Sequence, residues 1–80
     1  MFKLMNKRYM KDINTDIITD GERYFVIDSN YFDGISYYNC FEIDEYDLII
    51  GLNTRYKITP VFETNGADDY KLIDYKIEEE

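Results

Sequence analysis

Histidine and tryptophan are absent from this chain, and cysteine, proline and alanine occur once each, as Cys40, Pro60 and Ala67. Each absence excludes something. Without His, the commonest general base and the commonest metal ligand are gone. With one Cys, neither an internal disulfide nor a zinc site built on several thiolates is possible. Cys40 has no imidazole to activate it, so packing within a strand is its expected role. A lone cysteine suits a reducing compartment. No run approaches the roughly 18 apolar residues of a membrane span, and Met1-Phe2-Lys3-Leu4 opens no signal-peptide core. A cytoplasmic protein with no membrane contact is the expectation.

Charge of one sign is also scarce over most of the chain. Residues 1–11 carry Lys3, Lys7, Arg8 and Lys11 and no acid, whereas residues 12–80 set all 17 Asp and Glu against five Lys and Arg, a net of −12 in a total of −8. A body this acidic repels nucleic acid and membrane surfaces and attracts basic partners. Eighty residues make one domain. A domain this size buries a modest core, so the nine Tyr and five Phe are an expected reinforcement, with self-association as another. The organisation reads as a basic segment (1–11), an acidic β body (12–77) and an acidic, solvated tail (78–80).

Turn signals divide the body. Asp20-Gly21-Glu22-Arg23-Tyr24-Phe25 and Asp33-Gly34-Ile35-Ser36-Tyr37-Tyr38 share the pattern D-G-x-x-Y-aromatic. Asp-Gly tolerates the positive φ of a tight hairpin turn, and the aromatic pair after it suits a pleated surface. Strands are predicted over 12–19, 23–30, 35–43, 56–63 and 70–77. Tyr24 and Val26 lie on one face of the second and Phe25 and Ile27 on the other, the pattern of a central strand. In the third, Ile35, Tyr37, Phe41 and Ile43 share a face that Asn39 interrupts. Residues 46–52 read as a short strand or a helical turn. Pro60 places its strand at an edge or at a bulge. Phe2, Met5 and Tyr9 fit one face of a short N-terminal helix, with a strand on Phe2 and Leu4 as the alternative. The fold class is mostly β: a small antiparallel sheet or partly open SH3-like barrel of five to six strands.

The densest acidic cluster is Glu42, Asp44, Glu45 and Asp47 around Tyr46. Held at fixed spacing at a strand end, such carboxylates can present a phosphate-like row to a basic protein, with Tyr46 as an aromatic anchor. Asp44, Glu45 and Asp47 are expected at the surface. Asp28-Ser29-Asn30-Tyr31-Phe32-Asp33-Gly34 is not a calcium loop, because Phe32 occupies a ligand position and the closing Glu is missing. No metal or other cofactor is expected, and a domain with little room for a cleft is not expected to be an enzyme. Tyr31 and Tyr38 are further candidate interface anchors, whereas Tyr24, Tyr37 and Tyr56 are expected to fill the core.

A short, acidic, cysteine-poor chain without an enzyme motif resembles phage-borne inhibitors of host defence, including anti-CRISPR proteins and other DNA mimics. The resemblance implies an inhibitor, acting in the host cytoplasm, that blocks the basic nucleic-acid-binding surface of an enzyme or nuclease and binds no nucleic acid itself. Immunity proteins and antitoxins fit the same profile. The other reading is a structural module that assembles through a sheet edge or the N-terminal segment, with a homodimer as one form.

Overall fold

A computed structural model describes residues 1–5 and 16–80. Among these described residues seven strands run β1 (Lys3–Met5), β2 (Asp16–Thr19), β3 (Tyr24–Ile27), β4 (Tyr37–Ile43), β5 (Ile49–Ile50), β6 (Tyr56–Thr64) and β7 (Tyr70–Glu79). All pairings are antiparallel, in the order β1-β2-β3-β4-β6-β7, with β5 on β4. This up-and-down path curls until its ends nearly meet. The Phe2 amide donates to Asp74 Oδ1 at 2.8 Å across the seam between β1 and β7. The result is a nearly closed, barrel-like sheet.

The central strands are buried on both faces, as their unbroken apolar runs require. Ile18, Phe25, Ile27, Cys40, Ile58 and Tyr75 form one core, packed by Phe2, Tyr37, Tyr56 and Ile77. Ile17, Val26 and Ile43 form a second on the opposite face, with Met5, Tyr24 and Phe41. Adjacent residues Ile17 and Ile18 therefore point into different cores, and both are fully buried. Phe25 is the hub of the first, with edge-on contacts to Phe2 at 5.7 Å and Tyr56 at 5.1 Å. Tyr24, Tyr37 and Tyr56 thus pack as core aromatics.

Three local expectations are corrected. The N-terminal segment is not a short helix where it is described: Leu4 pairs with Ile18 and Met5 with Ile17. β2 would otherwise be an open edge, and pairing lets Phe2 and Met5 reach separate cores. Tyr9 and residues 12–15 lie outside the described residues. Second, Tyr37 does not share a face with Phe41 and Ile43. Asn39 takes φ +56 at a register shift between Tyr37 and Cys40, which turns Tyr37 and Cys40 to the first core and Phe41 and Ile43 to the second. Asn tolerates the left-handed region better than most residues. Ile35, placed on the same face by alternation, is 71% exposed.

Third, Glu78–Glu80 is solvent-exposed as expected but is tied to the sheet and is not a free tail. Glu78 pairs with Lys57 and Glu79 with Tyr56, and the Glu80 amide donates to the Arg55 carbonyl at 2.9 Å. Glu80 Oε1 also accepts from the Asn39 amide at 3.0 Å, so the last acids brace the β4 bulge.

Turns are made by aspartates in the way the sequence signals. Asp20 Oδ1 accepts from the Glu22 and Arg23 amides, and Asp33 Oδ1 from the Ile35 and Ser36 amides. Gly34 takes φ +96, which its lack of a Cβ permits. Asp28 similarly caps a single 3-10 turn, Ser29–Tyr31, and ends β3 short of Asn30. Pro60 lies opposite Tyr75 of β7 but just past Ile58, the last β6 residue paired with β4, so on its β4 side the strand is an edge there. A bulge follows at Val61/Phe62.

Candidate functional site

The Asp20-Gly21 turn and the end of β4 meet at one end of the sheet. Tyr24 pairs with Ile43 and Phe25 with Glu42, which brings Glu22 beside residues 42–45. Between them lies an open groove of about 270 Å³. Glu22, Glu42, Asp44 and Glu45 supply its carboxylates, and Tyr24, Ile43 and Ile50 its apolar lining. Glu22 is the member that reading the sequence missed. It stands 20 positions before Glu42, and only the β3–β4 register brings the two together.

The five residues of the sequence cluster are used differently. Glu42 is half-buried and takes a bidentate pair from Arg23, Nε to Oε2 at 2.9 Å and Nη2 to Oε1 at 3.0 Å. That pair raises the Arg23 guanidinium further above its ordinary range. Asp44 is a turn former: its Oδ1 accepts from the Tyr46 amide at 2.8 Å and the Leu48 amide at 3.0 Å. Asp47 is half-buried at φ +65, so it is no simple surface position. Glu45 and Tyr46 are presented to solvent, Tyr46 at 75%. Glu22 and Glu45 are therefore the acids of this groove best placed to meet a partner. Between them, the stem of an incoming Lys or Arg can lie along Tyr24 and Ile50 while its head meets carboxylate.

The rest of the surface repeats this bias. Among the described residues 16 are acidic and six basic, and eleven of the acids are exposed. Three of the six described cations lie over aromatic rings. Arg23 lies over the Phe25 ring at 4.8 Å, Arg55 over Phe41 and Lys57 over Tyr38, both at 5.7 Å. Arg55 also donates to the Leu52 and Thr54 carbonyls, and Lys76 lies 3.7 Å from Glu78. Of the other candidate anchors, Tyr31 is 48% exposed, whereas Tyr38 is half-buried beneath Lys57.

Cys40 is 2% exposed in the first core. Burial, and then the charges of Glu80 and Asp28, push its thiol up to about 12, so it stays protonated near neutral pH and is a poor nucleophile. Among the described residues no group of His, Cys, Asp or Glu is arranged to hold a metal ion, and no helix is long and apolar enough to cross a membrane.

No protein-family model matches this chain, and no curated protein or solved structure is significantly similar to it.

Proposed function

We propose that this chain is a non-enzymatic acidic binding protein of the phage-inhibitor kind, one that covers the basic nucleic-acid-binding surface of a host enzyme or defence nuclease. The observation that carries the reading is the outward charge: eleven exposed carboxylates among the described residues, four of them on strands and the rest in turns or at a strand end, with three of the six described cations laid over aromatic rings. A partner's Lys and Arg, already arranged for phosphate, meet carboxylates here on strands and on the turns that join them. The Glu22/Glu45 groove is the contact assigned to one such side chain, with Tyr46 beside it.

The test is competition. The chain is added to basic nucleases and nucleic-acid-binding proteins that hold a labelled duplex, and displacement is followed as salt is raised. Displacement that weakens steeply with salt is expected. The double reversal Glu22→Lys, Glu45→Lys spares the Asp44 turn and should weaken displacement by about tenfold or more through like-charge contact. The chain alone should not retard bare DNA or RNA in a gel. Displacement indifferent to both salt and charge reversal would count against the reading.

A further inference from the structure

A different face of the molecule is apolar. β6 and β7 have nine and ten residues, whereas β2 and β3 have four, so the β6–β7 hairpin overruns the barrel. The molecule measures 41 × 24 × 23 Å as a result. Beyond the bulge Phe62 pairs with Leu72 and Thr64 with Tyr70, which places Phe62, Leu72 and Tyr70 on one face of the projecting arm. They are 55%, 40% and 65% exposed. Leu72 then leads into an open groove of about 560 Å³ along the seam between β1 and β7, with Met1, Phe2, Leu4, Ile73 and Tyr75 in its walls. Phe2 and Tyr75 belong to the first core or pack against it, so the groove is that core coming to the surface. Among the described residues β1 and β7 are also the two ends of the strand order, and neither has a further strand paired on its outer edge.

We propose that this surface joins two copies of the chain across a two-fold axis, each copy's hairpin arm lying in the other's β1–β7 groove. Three observations select a second copy as the occupant. The first is area. The exposed parts of Met1, Leu4, Phe62, Tyr70, Leu72 and Ile73 amount to something on the order of 700 Å² per chain, against the roughly 800 Å² per partner of a standard interface. The second is charge. The arm's tip carries Asp68 and Asp69, and the groove's rim carries Lys3 of β1 and, where the arm borders the groove, Lys71 paired opposite the one acid, Glu63. Arm and groove are complementary to each other and occur on the same chain, which is what a self-complementary two-fold contact needs. The third is exclusion. A basic partner of the kind proposed for the acidic groove would meet Lys3 and Lys71 here, so the two faces differ in occupant. The dimer leaves the Glu22/Glu45 groove, on another part of the sheet, free for that partner.

Sedimentation velocity on the full chain across a range of concentrations tests this. The expected result is conversion from the 9.7 kDa monomer to twice that mass as concentration rises. Phe62→Ser, at an exposed arm position, should raise the dissociation constant by about tenfold or more, while circular dichroism stays that of the wild type. Charge exchange identifies the occupant. One variant carries Lys3→Glu and Lys71→Glu, and another carries Asp68→Lys and Asp69→Lys. Each alone sets like charges across the contact and should sediment as a monomer. Their equimolar mixture restores both arm–groove contacts and should sediment as a dimer. A wild type that stays at 9.7 kDa at every concentration overturns the proposal. So does a mixture of the two charge variants that remains monomeric when the wild type dimerises.

Discussion

At the scale of single residues, the aspartates of this acidic chain are not interchangeable charges. Asp20, Asp33 and Asp74 each accept two backbone N–H groups, and those bonds hold their carboxyls below the ordinary value of 3.8. Asp44 makes the same kind of contact in the loop after β4. The depressed groups tie folding to pH in one direction. A carboxyl whose folded value is lowered contributes stability above its unfolded value, and that contribution is lost as pH falls through the folded one. Asp33→Asn is therefore expected to lower the melting temperature at neutral pH. The gap to the wild type should close as pH drops below about 3.8. Comparing the two proteins isolates Asp33 from the general loss of carboxylate repulsion, which affects both alike. A gap that is the same at pH 6 and in strong acid would show that the charge on Asp33 does nothing for the turn.

At the scale of elements, the end of β7 is more consequential than its composition implies. Three successive glutamates read as a solvated tail, yet two are paired along β6 and the third bonds to both Arg55 and Asn39. Deleting residues 78–80 removes those bonds and uncovers the β4 bulge that directs Cys40 to one core and Phe41 to the other. At roughly 0.5–1.5 kcal/mol net for each hydrogen bond, the loss should be about 1–3 kcal/mol. That is a large share of the roughly 4–12 kcal/mol expected of an 80-residue domain. The relief of repulsion on removing three negative charges is a smaller, salt-screened term of the opposite sign. Urea unfolding of the truncated chain measures the balance, and a midpoint at or above that of the full chain would show that the strand end is dispensable.

At the scale of the whole molecule, two faces carry opposite chemistry. The acidic groove lies where the Asp20-Gly21 turn meets the end of β4, and the apolar seam lies where β1 and β7 fail to close. The net charge of −8 also acts on the fold itself, since exposed like charges repel in the compact state. Raising salt from low to moderate concentration should therefore raise the melting temperature. Screening also weakens the Arg23–Glu42 pair, but that is one contact whose Arg is about half-exposed, and such pairs contribute ~1 kcal/mol or less. A melting temperature that falls with added salt would mean that attractive pairs outweigh the net repulsion.

Composition and alternation were enough to determine the β class, the two-faced burial of β3, the Asp-Gly turns and the acidity of the surface. These are local properties: the residue preferences of a strand, the φ tolerance of glycine and a count of charges. Tertiary structure decided the rest. Lys3–Met5 became a strand because β2 offered an edge and two cores took Phe2 and Met5. A bulge at Asn39 reversed the faces of β4, which no regular period can foresee. Glu22 entered the acidic groove, and Glu42 was drawn into a pair with Arg23, through a register that brings together residues about 20 positions apart in the chain. The exposed hairpin arm also follows from tertiary structure, because strand length is local but the overrun exists only relative to shorter neighbours. Charge and turn chemistry belong to each residue by itself, whereas pairing and burial depend on which distant residue arrives opposite.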